Sequence, residues 1–318
     1  MLSTCALHKI LPMPHNPIHT AFMSDAVSIE EIHTMRELPT PTLDLSPASL
    51  FRGALHPRSA PMHQAPATPE RAVAGIEVCW ARHLDEVREA QRLRYSVFAG
   101  EMGATLPNTL PGHDVDLFDG YCEHLLVRDA ISREVIGTYR VLTPEQAKRA
   151  GSTYSDTEFD LVRLRHMRDR MVELGRSCVH RDHRHGGVIM ALWGALAAFM
   201  QRNRLDIMIG CASIPMQHEG EHGVVGGGHV AASIWRQVKD THMAPVDCHV
   251  RPRLPLPVER LDGTLNVEPP ALIKGYLRLG AKVMGPPAWD PDFNAADLPM
   301  MMRIADMPPR YRKHFLGA

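Results

Sequence analysis

A carboxylate, a guanidinium and a pair of glycines fall within one short run of this sequence. Glu173-Leu174-Gly175-Arg176-Ser177-Cys178-Val179 has the pattern of a strand, residues 180–187 that of a polar loop, and residues 188–200 that of a buried apolar helix. Gly186 and Gly187 stand at the helix entrance. The first N–H groups of such a helix lack intrahelical acceptors and carry partial positive charge, so an anion of phosphate size fits there. Val179, Arg184, His185, Gly186, Gly187 and Val188 would surround it. Glu173 is a candidate base or water-positioning group, and its other reading is an ion pair with Arg176. Strict alternation would set these two on opposite faces of the strand; a bulge at Gly175 would realign them.

Three further strings look chemical and are set aside. His218-Glu219-Gly220-Glu221-His222 is a literal H-E-x-x-H, but zinc needs both histidines on one helical face, and Pro215, Gly220 and Gly223 disfavour a helix. His124 and Asp129 have the H-x4-D spacing of glycerolipid O-acyltransferases, yet Leu125-Leu126-Val127 between them reads as a buried strand. Gly175-Arg176-Ser177-Cys178-Val179 lacks the second glycine of a nucleophile elbow, and Cys178 reads as a structural thiol. No metal is expected.

The elements that must position these groups follow from hydrophobic spacing. After a strand at 76–81, apolar residues at 84, 87, 90, 93, 97 and 98 predict a helix, which puts Arg94 and Phe98 four apart; Gly100 and Gly103 mark its end. A Pro/Gly/Asp-rich loop carrying Asp116 and Asp119 runs to Gly120. Residues 124–128 and 135–142 have hairpin spacing, with Arg140 on the second strand, and Thr143-Pro144-Glu145-Gln146 opens a short helix. Beyond the helix at 188–200 come a strand at 206–213 ended by Pro215, a helix at 230–238, and a proline-interrupted edge strand or arm at 246–258. A helix from Pro269-Pro270 to Leu279 is stopped by Gly280, then follow a strand at 281–284, a turn at 286–292 containing Asp290, and a last strand at 298–304. The alternation predicts one α/β domain over residues 76–318, a central mixed sheet flanked by helices. Residues 1–75 hold ten prolines and one short periodic piece at 27–38, and read as a disordered tail, with Met23 and Met35 as alternative starts.

With 35 Lys+Arg against 36 Asp+Glu, no global field favours nucleic acid or an anionic membrane. Six scattered cysteines without a C-x-x-C suit reduced thiols in a cytoplasmic protein. The longest uncharged run, 186–200, is too short to span a bilayer.

The stretch from Val179 to Ile189 resembles the acyl-CoA-binding segment of the GNAT superfamily, here with adjacent glycines after Arg184. Arg94 and Phe98, Asp116-x-Phe118-Asp119, Arg140 and Glu173-x-x-Arg176 resemble in order and spacing the acyl-homoserine-lactone synthases, without the tryptophan that family carries after its Arg–Phe pair. More specific blocks cover residues 76–318. They include Arg94-Tyr95-x-Val97-Phe98-x-x-Glu101-Met102-Gly103-Ala104, Asp119-x-Tyr121-Cys122-x-His124-Leu125-Leu126-Val127-Arg128-Asp129 and Gly175-Arg176-Ser177-Cys178-Val179-His180. Further on come Gly275-Tyr276-Leu277-Arg278-Leu279-Gly280-Ala281, Gly285-Pro286-Pro287-Ala288-Trp289-Asp290-Pro291-Asp292-Phe293-Asn294 and Pro308-Pro309-Arg310-Tyr311-Arg312-x-His314-Phe315. Together they resemble the bacterial ornithine N-acyltransferases, often labelled hemolysin-like.

That resemblance implies a GNAT-like fold and transfer of a 3-hydroxyacyl chain from acyl carrier protein to the α-amine of ornithine, giving lyso-ornithine lipid. No cofactor is implied beyond the carrier's phosphopantetheine thioester. Glu173 and Arg176 would then lie at the thioester and the loop at 179–188 at the pantetheine phosphate. Arg94 would hold the substrate carboxylate, or else form a helix-to-loop salt bridge with Asp116 or Asp119. Asp116, Asp119 and Asp290 are candidates for the cationic side chain of ornithine, the first two with Arg140 beside them in the motif. Phe98, Phe118, Trp193 and Met208 are available for an acyl tunnel. Two basic clusters, Arg163, Arg165, Arg168, Arg170 and Arg310, Arg312, Lys313, could dock the acidic carrier, or meet anionic headgroups at the inner membrane. Rival readings are acylation of another amine, lactone synthesis, a membrane-perturbing protein and a non-catalytic carrier-binding module.

Overall fold

Apolar runs and turn residues set the elements, and the sheet is built mostly from the longest of those runs. The computed structural model describes residues 70–73, 75–106, 109–220 and 223–317. The chain divides into two units, residues 1–59 and 60–318, and every described residue belongs to the second. The periodic piece at 27–38 and the alternative starts at Met23 and Met35 lie outside the described residues. The sheet starts before the expected boundary at 75: β1 (Glu70–Val73) pairs antiparallel with β2 (Ile76–Trp80).

Helix α1 (Leu84–Tyr95) continues as a wider π turn, Ser96–Glu101, so the expected helix to Phe98 changes its winding just where Phe98 is placed. The hairpin β3 (Glu123–Asp129) and β4 (Val135–Leu142) is as predicted, and α2 (Pro144–Ala150) has a full capping box between Thr143 and Gln146. A one-turn helix α3 (Tyr154–Glu158), a short β5 (Phe159–Asp160) and a 3-10 stretch lead to β6 (Met171–Val179). Then come α4 (Gly187–Arg202), β7 (Ile207–Pro215), a hairpin of β8 (His218–Gly220) and β9 (Gly223–Val225), and α5 (His229–Lys239). The H-E-x-x-H string therefore starts in a hairpin strand, and its last two residues lie outside the described residues.

The arm at 246–258 holds a 3-10 turn, Val246–Cys248, and a short strand β10 (Arg251–Pro252) paired with β5. After α6 (Ala271–Arg278) and β11 (Lys282–Val283), the expected turn at 286–292 contains a strand, β12 (Ala288–Asp290), hairpinned onto β13 (Ala295–Arg303). The last described helix is α7 (Pro309–Leu316). Among the described residues nine strands form one sheet in the order β1-β2-β3-β4-β6-β7-β13-β11, with β12 also on β13. Pro299 sits inside β13 without harm. Its carbonyl accepts from Met284 on the β11 side, so its missing N–H faces the gap between β12 and β11.

Two features of this sheet matter for the site. Only β6 and β7 run parallel, and they pair over three residues, Met171 to Glu173 against Ile207 to Ile209, before the ladder between them stops. Gly210 lies at that point, where an added Cβ would collide with the Leu174 carbonyl oxygen. On its other edge β6 carries a bulge: Arg140 pairs with Gly175 and Thr138 with Cys178, which leaves Arg176 (φ 50°) and Ser177 opposite Tyr139 alone. The sheet is covered on one face by α4, through Val188, Leu192 and Leu196 against Leu125, Val127 and Ile136. Helix α1 packs on β4 and β6.

Candidate active site

Three arginines and three aspartates meet where α1, the 114–119 loop, β4 and the β6 bulge converge. Arg94, fully buried, donates from Nε to Asp114 at 2.7 Å and from both terminal nitrogens to Asp119 at 2.9 Å. Arg140 reaches Asp116 at 2.6 Å and Asp119 at 3.0 Å. Arg176 reaches Asp114 at 3.1 Å and Asp116 at 3.0 Å. Gln91 adds a bond to Asp119, and the buried His124 ring lies 3.0 Å from the Asp119 carbonyl. Burial alone would raise the Asp119 carboxyl, but Arg94 and Arg140 hold it well below the usual carboxylate range. Burial likewise opposes ionisation of Asp116, and Arg140 and Arg176 outweigh it. Three positive and three negative charges close on themselves.

This corrects several expectations. Arg94 takes the helix-to-loop pairing rather than a free position for a substrate carboxylate, because its guanidinium nitrogens are all engaged by Asp114 and Asp119. Asp116 and Asp119 are neutralised by arginines and hold no charge in reserve for ornithine. Glu173 does not pair with Arg176 despite the bulge. Its carboxylate, buried under α3, accepts the Tyr154 amide at 2.8 Å and the Ser155 amide at 2.6 Å. Burial raises its pKa against those two bonds. Phe98 is core, edge-on to Phe293 with ring centroids 5.5 Å apart. Cys178 is buried and its thiol is pushed up to about 12, the opposite of an activated nucleophile.

Arg176 is the hinge between this network and the parting of β6 from β7. Its guanidinium carbon lies 4.9 Å from the Tyr154 ring centroid and 4.6 Å from that of Phe293, so two aromatic faces grip it. Tyr154 donates to Asp290 at 3.0 Å, and Asp290 also accepts the Asp292 and Phe293 amides. Ser155 of α3 contacts Cys211 of β7, Oγ to Sγ 3.6 Å. Helix α3 and the β12–β13 turn thus stand over the half of β7 that β6 no longer pairs.

At the far end of β6 the loop leads, as expected, into a helix. Gly186 (φ 95°) precedes α4, whose first turn has no side-chain cap. Arg184 is tied to the Val179 carbonyl at 3.0 Å and to Glu101 at 2.9 Å, His185 is exposed, and the Val188 side chain is core. Trp193 and Met208 line a cavity with Leu174, Tyr276 and Met302 on the α4 side of the sheet, while Phe118 packs on Tyr154. Of the basic clusters, Arg168 is paired with Asp156 and Arg170 with Asp206. Arg163 and Arg165 bond only backbone carbonyls. Arg312 is likewise turned to the carbonyls of Ala305 and Met307, and Arg310 lies over Tyr311.

Sequence reading missed Asp114, Glu158 and Asp297. The spacing Asp114-x-Asp116-x-x-Asp119 and the lone charge of Asp297 in the apolar run 295–302 were the available signals.

Residues 93–194 match the acetyltransferase (GNAT) domain family. The chain is 35% identical over 259 residues to an L-ornithine N(alpha)-acyltransferase of Rhodobacter capsulatus, covering 77% of this chain and 96% of that one. It is 34% identical to the protein of the same name from Agrobacterium fabrum, over 77% of this chain and 86% of that one. Among solved structures, the acyl-homoserine-lactone synthase LasI aligns with a TM-score of 0.43 at 12% identity, covering 76% of this chain and 94% of that one. The N-acyl amino acid synthase FeeM aligns at 0.40 and 10%, covering 76% and 96%. Among the described residues no helix is long and apolar enough to cross a membrane.

Proposed function

This chain belongs to the L-ornithine N(alpha)-acyltransferase family, and on that premise we propose that it moves an acyl chain from the phosphopantetheine thioester of acyl carrier protein to the α-amine of L-ornithine. The amine nitrogen attacks the thioester carbon, the C–N bond forms, the C–S bond breaks, and the carrier thiol leaves with the proton the amine gives up. With a 3-hydroxyacyl donor the product is lyso-ornithine lipid. A thioester is already activated, so the protein's task is to position the amine, receive its proton and hold the oxyanion, and it needs no cofactor of its own.

The observation that carries this reading is the parting of β6 and β7 after Glu173, with the uncapped entrance of α4 at the far end of β6. A strand edge left without a partner can pair with an extended arm that carries amides, as pantetheine does. The free N–H groups at Gly187 and the residues after it suit its phosphodiester. The bulge at Arg176 and Ser177 then supplies an amide out of register for the thioester oxygen. Glu173 is a positioning residue for α3 in this scheme. The apolar side chains beneath Leu174 mark the direction an acyl chain would take, and Arg163 and Arg165 suit the acidic carrier. The full chain incubated with 3-hydroxyacyl carrier protein and L-ornithine should yield acyl-ornithine by mass spectrometry. Absence of product with an intact donor would overturn the substrate assignment.

A further inference from the structure

Beside the neutral network lies a second group of carboxylates, within reach of the charge of Arg176, which is already paired with Asp114 and Asp116. Asp290 at the end of β12 and Asp297 within β13 stand on one face of their hairpin, since Asp290 pairs with Ala295 and Asp297 with Ala288, and Glu158 ends the single-turn α3 whose Tyr154 donates to Asp290. No ion pair engages any of them among the described residues. Asp290 is held in place: Tyr154 donates to one oxygen and two backbone amides to the other. Asp297 is 2% exposed, and although the Ser213 side chain serves it, its Oδ1 has no hydrogen-bond partner. The Glu158 carboxylate is half-buried and makes no hydrogen bond among the described residues. Buried carboxylates are ordinarily paired, and the neighbouring Asp114, Asp116 and Asp119 each hold ion pairs to two arginines.

The group stands over the second half of β7, next to Cys211 and Ser213, at the parting where β6 is absent. We propose that Glu158, Asp290 and Asp297 form the subsite for the side-chain ammonium of the acceptor, selecting an amino acid that ends in a primary amine. The inference rests on the acyltransfer reading for the identity of the acceptor. An ammonium brings three donors and one positive charge, and here it would find the open oxygens of Glu158 and Asp297, with Asp290 supplying charge from a fixed position. The acceptor's α-amine then extends back toward Leu174–Arg176, where the thioester would lie.

The test uses the full chain with E158Q and D297N, both near-isosteric, and two acceptors, L-ornithine and L-norvaline, which differ only in the terminal amine. Calorimetry reads binding without donor, and turnover reads kcat and KM with acyl carrier protein. Each substitution should raise the ornithine Kd and KM by about tenfold or more, the loss expected for a charged hydrogen bond. It should leave saturated kcat and the weak binding of norvaline unchanged. Undiminished preference for ornithine over norvaline in E158Q would overturn the subsite while leaving acyl transfer standing. Ornithine-selective binding by the parent with no turnover would overturn the transfer reading and keep the subsite. Should D297N fail to fold, E158Q on the half-exposed end of α3 decides.

Discussion

Replacing Arg94 by methionine tests whether the arginine–aspartate network holds the fold or meets the substrate. Arg94 is fully buried, and it serves two buried carboxylates, Asp114 at 2.7 Å and Asp119 at 2.9 Å. Methionine fills much of the same volume but leaves Asp114 to Arg176 and Asp119 to Arg140, at 3.1 and 3.0 Å. Breaking a buried ion pair from one side costs about 3–5 kcal/mol. The two surviving arginines keep the cost near the lower end, about 3 kcal/mol, or roughly 6–12 °C in melting temperature for a domain of this size. Thermal unfolding of parent and variant at neutral pH reads this directly. The acid limb checks the cause. The Asp119 carboxyl sits below its ordinary value, so its contribution is complete above the unfolded pKa, about 3.9, and is lost as pH falls below it. The gap between parent and variant should therefore narrow in acid. A variant that melts within about 2 °C of the parent yet binds ornithine poorly would refute this reasoning and return Arg94 to the substrate carboxylate.

Three other expectations follow from the same geometry. Gly210→Ala drives a methyl into the Leu174 carbonyl oxygen at the parting of β6 and β7 and should cost about 1–3 kcal/mol in denaturant unfolding; an unchanged midpoint would mean the strands yield freely there. Glu173→Gln keeps one acceptor oxygen but turns an NH2 toward the Tyr154 or Ser155 amide, so it should cost about 1–3 kcal/mol and speed hydrogen exchange in α3. A variant that keeps its stability and loses kcat would restore Glu173 as the base. Burial and mutual repulsion push Glu158 up to about 7 and Asp297 up to about 6, with Asp290, Asp292, Tyr154 and Arg176 around them. Both therefore gain charge as pH rises through that window: the ornithine KM should fall, the norvaline KM should stay level, and the ligand-free protein should lose stability in the same direction.

Elements whose signal is local were legible in the sequence. The β3–β4 hairpin, the Thr143 capping box, the strand–loop–helix at 171–202 and the Gly280 stop of α6 all rest on residues within a few positions of one another. A bulge near Gly175 was also legible, but it falls one residue later, at Arg176 and Ser177, and does not bring Glu173 to Arg176. Partner choice was not. Separations of 20 positions from Arg94 to Asp114 and 28 from Gln91 to Asp119 leave no periodic trace. Helix α3 is a single turn held from outside by Glu173, so no amphipathic pattern announces it. Strand β12 was hidden for a different reason: three residues flanked by prolines read as turn until β13 pairs with them.

What separates the two groups of carboxylates is compensation, and it decides which of them can select a substrate. Asp114, Asp116 and Asp119 share three arginines, so their energy is settled within the fold and an arriving cation would have to displace a guanidinium. Glu158, Asp290 and Asp297 carry their charge unpaired beside the unladdered half of β7, where the fold pays to keep them. An ammonium relieves that cost on entering. An uncharged side chain of the same length gives the carboxylates no partner and leaves that cost where it was. Preference for a basic amino acid thus arises less from an added attraction than from a penalty already built into β7, β13 and α3, which only a cation removes.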